Sequence, residues 1–333
     1  MPIDWSPLVD LIRRHQTFLL MTHARPDADG LGSQLALADA LTAIGKTARV
    51  VIPSRLPPRY QFLDPDRTTI EEFRPPDERF RNVDAVLVMD TGTWNQLDDF
   101  GPFLRTLSIP KAVIDHHRTQ DDLGGPRYVD VTAEATGRLA YELIRALDAP
   151  ISPRAAHNMF MALALDTGWF RHPNTTAATF DLAGELVRLG ANPTPLYEQL
   201  FECAPITRLK LAGVALERLQ VRSNGRIAFT EVCLSDYATT GAVPGDTEEL
   251  INYPRSLDGV EVALLFIEQP EGGTKVSFRA RSVDVSKLAE QFGGGGHKLA
   301  AGARIDGNLP DVRERVLAAA KEALAASGSG GLS

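Results

Sequence analysis

Residues Thr17–Ser33, TFLLMTHARPDADGLGS, decide the fold class and already hold part of the site. Thr17–Thr22 is an apolar run of strand length. A helix is predicted from about Asp29 to Ile44, because Leu31, Leu35, Ala38 and Leu41 recur at helical spacing and Gly45 stands where a stop is expected. Working outward, Ala48–Ile52, Ala85–Met89 and Lys111–Ile114 read as buried strands. Glu134–Leu147, Ala155–Leu165 and Ala177–Leu189 read as helices. This alternation predicts an α/β domain with a mostly parallel sheet flanked by helices, in which ligands bind beyond the carboxyl ends of strands.

The texture changes near Gly190–Pro195. Helical residues continue to about Gln220, then Arg226–Val232, Gly259–Glu268 and Thr274–Arg281 read as strands, with a hairpin around Gln269–Thr274. Helices at about Val285–Gln291 and Pro310–Ala326 complete a smaller α+β domain. The expected organisation is a first domain over 1–192, a helical linker over 193–221, a second domain over 222–326 and a flexible tail over 327–333.

Composition narrows the function classes. A chain of 333 residues has room for two domains, and 44% hydrophobic with 23% charged residues is globular. No apolar run reaches bilayer length, and MPIDWSPLVD lacks the basic start of a signal peptide, so a cytoplasmic protein is expected, with no membrane partner. Cys203 and Cys233 lack metal or redox spacing and are expected to be buried thiols. A net charge of −8 disfavours binding of long nucleic acid, which needs a basic footprint, but leaves short phosphorylated substrates open.

Four segments end in residues suited to hold cations. His23, Asp27 and Asp29 lie within seven residues at the end of the first strand. Asp29 alone would read as a helix N-cap, but two carboxylates beside a histidine are costly to assemble unless a cation neutralises them. Asp90 terminates the strand Val86–Met89, and Asp115-His116-His117 terminates Ala112–Ile114. Asp166 ends an apolar helical run, where the helix dipole disfavours a carboxylate and a cation would compensate. Carboxylate-rich sets with a minority of histidine suit Mn²⁺ or Mg²⁺ better than Zn²⁺, and these ligands suffice for two ions sharing a carboxylate.

A fifth motif, Phe292–Lys298 (FGGGGHK), is followed by Ala300-Ala301-Gly302. Glycine runs are commonly linkers, yet this one is short, and its bare N–H groups with His297 and Lys298 could approach an anion. It is not a Walker A loop. Upstream, Ser277, Arg279 and Arg281 alternate along a strand and are expected on one face, where the two arginines could clamp a phosphate.

Taken together, these motifs resemble the DHH–DHHA1 phosphoesterases of the NrnA type, which act on nanoRNA and on 3′-phosphoadenosine-5′-phosphate (pAp). The resemblance covers nearly the whole chain: His23-x-x-Pro26-Asp27-x-Asp29-x-x-Gly32-Ser33, Asp90, Asp115-His116-His117, Asp166 and Gly293–His297 stand in the family's order. It implies that His23 and Asp27 hold one Mn²⁺, that Asp29, His116 and Asp166 hold the other, and that Asp90 bridges. His117 would face the scissile phosphate, with Asp115 orienting the imidazoles. Arg279, Gly294, Gly295 and His297 would grip the remaining phosphate or nucleotide. The implied substrates are short RNA, linear dinucleotides such as pApA and pGpG, and pAp; a homodimer is common in such families. The chain departs from the pattern at Ala28, where glycine is frequent, at Arg25 beside the site, and at Gly137-Arg138. The rival readings are a RecJ-like exonuclease, which would need a longer chain and a basic groove, a manganese pyrophosphatase, which lacks the glycine-rich motif, and a non-catalytic nucleotide-binding module.

Overall fold

The computed structural model describes residues 3–328 and divides the chain between Cys203 and Ala204 into two compact units. In the first, α1 (Ser6–Arg14), β1 (Thr17–Met21), α2 (Ala28–Ala43), β2 (Thr47–Ile52), β3 (Ile70–Glu72), β4 (Ala85–Met89), α3 (Phe100–Thr106), β5 (Lys111–Asp115) and β6 (Arg127–Val129) follow one another. Four helices complete it: α4 (Thr136–Ala146), α5 (Pro153–Asp166), α6 (Ala177–Arg188) and α7 (Pro193–Tyr197). The six strands form one sheet in the order β3-β2-β1-β4-β5-β6, with every pair parallel.

Alternation along the strands separates two cores. Phe18, Leu20, Leu87 and Ile114 pack with α1, α2, α4 and α5, while Leu19, Val86, Val88 and Val113 pack against Phe73, Phe80, Phe100 and Phe103. All five residues of β4 are fully buried, and each large apolar side chain so buried contributes about 1.5–3 kcal/mol. The chain goes from β1 outward to β2 and β3, then returns to lay β4 on the other side of β1. This reversal leaves a crevice at the carboxyl ends of β1 and β4, the usual ligand position in doubly wound sheets.

The second unit contains α8 (Ile206–Glu217), β7 (Gln220–Arg222), β8 (Ile227–Val232), α9 (Leu234–Thr240), α10 (Asn252–Ser256), β9 (Val262–Glu268), β10 (Thr274–Ala280), α11 (Val285–Glu290), β11 (Gly295–His297), β12 (Ala300–Ile305) and α12 (Leu309–Gly328). Its sheet runs β11-β12-β10-β9-β8-β7 and is mixed: only β8 and β9 pair in parallel. One face buries Phe229, Phe266 and Phe278 beneath α11 and α12; the other buries Ala263, Leu265 and Ile267 beneath α8.

Some expectations need amendment. The segment 193–221 divides between the units: α7 and a π-helical turn, Glu198–Glu202, lie in the first, whereas α8 places Leu211 and Ala215 in the core of the second. Cys203 is exposed just past that turn and Cys233 is only half-buried, so the expectation of two buried thiols fails at both; both cysteines are free. Of the expected tail, Ser327 and Gly328 continue α12, and residues 329–333 lie outside the described residues. No helix among the described residues is long and apolar enough to cross a membrane.

Candidate metal centre

The carboxyl edge of the first sheet collects the chemistry. His23 follows β1 by two residues, Asp90 directly follows β4, Asp115 is the last residue of β5, and Asp166 is the last of α5. Asp27 is the N-cap of α2: its Oδ1 accepts from the amides of Asp29 (3.0 Å) and Gly30 (3.1 Å). Asp29, the residue for which a cap was the simplest reading, lies in the first turn and is released for other contacts. Asp90 takes a left-handed φ of 59°, uncommon for a residue with a side chain and characteristic of strained functional positions.

Two groups of side chains converge on this carboxylate. His23 Nε2 lies 3.7 Å from Asp27 Oδ1 and 3.5 Å from Asp90 Oδ2. His116 Nε2 lies 3.6 Å from Asp29 Oδ2, 3.6 Å from Asp90 Oδ1 and 3.7 Å from Asp166 Oδ2. Asp90 thus turns one oxygen to each group. Both imidazoles are held by their other nitrogen: His23 Nδ1 is 3.0 Å from Ala24 O, and His116 Nδ1 is 3.1 Å from Ala133 O. A carbonyl only accepts, so each Nδ1 carries the proton and each Nε2 faces the carboxylates, the arrangement usual for metal-ligating histidine. His117 differs. Its Nδ1 is 2.8 Å from Asp115 Oδ1, which leaves Nε2 for another partner.

Electrostatics explain why such a cluster needs cations. Asp29 and Asp90 are each only 2% exposed. Burial first, and then the charge of Asp29, raises the Asp90 carboxyl well above the carboxylate range. Burial likewise raises Asp29, and burial with the charges of Asp29 and Asp27 raises Asp166 to about 8. Burial alone would depress the His23 imidazole, but Asp27 and Asp90 outweigh it and push it to about 11. Protons thereby fill the role that cations fill in a loaded site.

Several supporting residues escaped the sequence reading. The amides of Thr136 and Gly137, at the start of α4, donate to Asp29 Oδ2 (2.7 Å) and Oδ1 (2.9 Å), and Thr136 Oγ1 donates to Asp90 Oδ1 (3.0 Å). A helix N-terminus aimed at a carboxylate favours its charged form. The two amide contacts to Asp29 span more than one hundred residues and the Thr136–Asp90 contact spans 46, so no local pattern announces them. Ser33, whose Oγ donates to Asp29 Oδ1 at 3.2 Å, was legible as an i,i+4 neighbour on α2.

In the second unit, β10 and β12 pair Arg279 with Ala300 and Ser277 with Gly302, while β12 and β11 pair Ala300 with His297 and Gly302 with Gly295. Directly opposed residues share a face. Arg279 and His297 therefore flank Ala300 in one row, and Ser277, Gly302 and Gly295 form the next, giving a floor of small residues between a guanidinium and an imidazole. Gly294 must be glycine because a Cβ there would lie 2.3 Å from Gly302 O, so the glycine run is an edge strand laid close against β12 and not a linker. Burial, with the charge of Arg255 beside it, holds the Arg279 guanidinium below its ordinary value; Arg255, on α10, is a further cation the sequence did not single out. Arg281 lies beyond β10 and donates to Leu257 O at 3.3 Å, so it does not join the row.

Comparison with known proteins agrees with this division. Residues 17–165 match the DHH family, N-terminal domain, and residues 225–326 match the DHHA1 domain. A Thermus thermophilus protein named bifunctional oligoribonuclease and PAP phosphatase NrnA is 30% identical over 93% of this chain and 90% of its own length. The chain belongs to the DHH phosphoesterase family. Proteins of the same name from Bacillus subtilis and, as a probable assignment, Streptococcus mutans are each 28% identical, covering 94% and 88% of this chain and 96% and 90% of their own lengths. An exopolyphosphatase-related protein from Bacteroides fragilis shares the fold, with a TM-score of 0.87 at 22% identity over 96% of this chain and 94% of its own.

The donor set of this DHH phosphoesterase fits divalent cations. His23, Asp27 and Asp90 offer ligand atoms within 4.8 Å of one another, and so do Asp29, His116 and Asp166. Ligand distances of about 2.0–2.2 Å separate adjacent donors of one ion by roughly 3–4 Å, the range seen between His23 or His116 and the surrounding carboxylates.

Proposed function

We propose that this enzyme is a two-metal, Mn²⁺-dependent hydrolase of very short RNA, of linear dinucleotides and of pAp, with nucleoside monophosphates as products. The observation that carries this reading is Asp90, whose two oxygens each face a separate cluster of imidazole and carboxylate donors. His23, Asp27 and Asp90 hold one ion; Asp29, His116, Asp166 and Asp90 hold the other. Bound there, two divalent cations supply a nucleophile at neutral pH and neutralise charge on the phosphoryl oxygens. Asp115 accepts from His117 Nδ1, keeping that imidazole oriented so that its outer nitrogen can donate to the phosphate as charge develops. The charge-bearing row Arg279–His297 receives a further phosphate or nucleotide of the substrate on a floor of Ala300, Gly302 and Gly295. The relatives named for oligoribonuclease and PAP phosphatase activity support the substrate class.

The test is turnover of pAp, pApA and 5′-phosphorylated RNA of two to twenty nucleotides, with Mn²⁺ and with Mg²⁺. Substrates of two to four nucleotides should exceed the twenty-nucleotide strand by about an order of magnitude in kcat/KM, since an acidic chain of net charge −8 offers long RNA no basic track. Equal rates on the longest and shortest strands would overturn the reading and favour an exonuclease of long single strands.

A further inference from the structure

Asp115 is fully buried at the end of β5. Its Oδ1 accepts from the amides of His116 (2.8 Å) and His117 (3.2 Å) as well as from His117 Nδ1 (2.8 Å). Its Oδ2 has one donor among the described residues, Gln120 Nε2 at 2.5 Å. The same nitrogen donates to His117 O at 3.1 Å. One side-chain amide therefore holds His117 twice, by its carbonyl and by the carboxylate that orients its ring.

The opposite loop is shaped to admit that amide. Gly92 follows Asp90 by two residues, and a Cβ there would lie 1.9 Å from Gln120 Oε1 and 2.3 Å from its Cδ. The two loops are stitched beside this slot: Asp121 N donates to Gly92 O at 2.7 Å, and Trp94 N donates to Asp121 Oδ2 at 2.9 Å. Gln120 Oε1 is buried with no donor among the described residues, so the amide orientation is decided by its two Nε2 donations. Without Nε2, Asp115 Oδ2 would be buried and unpaired, and the carboxylate would be free to turn away from the imidazole.

We infer that Gln120 is a positioning residue that locks the Asp115 carboxylate and through it fixes the His117 ring toward the scissile phosphate, with Gly92 kept free of a side chain to make room for it. This rests on the reading of His117 as the phosphate-facing group.

The experiment places Gln120→Met, of similar length but without the donor, in the Mn²⁺-loaded enzyme and in the His117→Ala background. Kinetics on pApA, bound metal and Tm are measured for each. In the otherwise native enzyme, kcat should fall about 10- to 100-fold, the usual cost of losing such a supporting contact, with KM and metal content unchanged. In the His117→Ala background the same substitution should cost nothing further, because the residue it acts through is gone. Equal losses in both backgrounds, or loss of a metal equivalent, would overturn the role of Gln120. Near-native turnover by His117→Ala alone would instead overturn the reading of His117. If Gln120→Met does not fold, Gly92→Ala, which displaces the amide from its slot, is measured in the same two backgrounds against the same outcomes.

Discussion

The two candidate regions solve opposite physical problems. The edge of the first sheet packs Asp29, Asp90 and Asp115 out of solvent and surrounds them with fixed donors from α4 and from the loop after β5. The row on the second sheet is half-open, floored with glycine and alanine, and carries cations with no carboxylate facing them across the ladder. The difference teaches where chemistry and recognition belong. Buried carboxylates bind hard cations firmly once the protons are displaced, and rigid donors stabilise charge that develops. A half-buried guanidinium and an exposed imidazole over small residues suit an anion that must enter and leave.

Four experiments can break or sharpen this contrast. The largest effect is expected at Asp90→Ala, which should take turnover below detection and remove most of both metal equivalents, whereas His23→Ala should cost mainly one. Metal counting on the two variants checks it, and near-normal Mn²⁺-dependent activity in Asp90→Ala would dissolve the two-metal assignment. Next, His117→Ala should lower kcat roughly 10²-fold while keeping both ions, the scale of losing one charge-stabilising donor. A missing equivalent there would exchange the roles of His116 and His117.

On the recognition side, Arg279→Ala or His297→Ala should cost about 1.5–3 kcal/mol, or about 10- to 150-fold in kcat/KM, on phosphate-bearing dinucleotides. Slow cleavage of bis(p-nitrophenyl) phosphate should be spared. Equal loss on both substrates would place these residues in the chemistry. The smallest effect is a pH dependence. In the metal-free protein, the Asp166 carboxyl titrates near 8 against an ordinary 3.8. The folded chain thus keeps a proton that the unfolded chain releases, and this contribution is full below about 4 and lost as pH rises through about 8. Mn²⁺ must displace that proton, so the Tm increase on adding Mn²⁺ should be larger at pH 8 than at pH 6, by differential scanning fluorimetry. An increase that shrinks toward pH 8 would contradict the proton-for-cation exchange.

The first region was far more legible than the second. Its motif residues end apolar strands or a helix, and a parallel sheet brings all such ends to one edge, so His23, Asp90 and His116 could be grouped from the chain alone. Taken alone, Asp29 would read as the N-cap, and the cap proves to be Asp27, because both residues suit a cap and only the backbone path into α2 selects between them. In the second region, alternation correctly grouped Ser277 with Arg279 but extended the strand through Arg281, whose partner Leu257 is remote in sequence. The glycine run hid a strand because glycine has no strand signature; its membership is visible only in the close approach to β12.

By itself, the order of residues determined the alternating architecture and the family, and it singled out His23, Asp27, Asp29, Asp90, Asp115, His116, His117 and Asp166 as site candidates, since hydrophobic periodicity and short motifs are local properties of the chain. Only the tertiary structure decided that Asp90 turns one oxygen to each donor group, that α4 aims its first amides at Asp29, that Gln120 holds Asp115, and that His297 shares a row with Arg279. Each of these depends on loop paths or strand register, and a one-residue slip in either would leave the sequence patterns intact while turning the side chain to the opposite face.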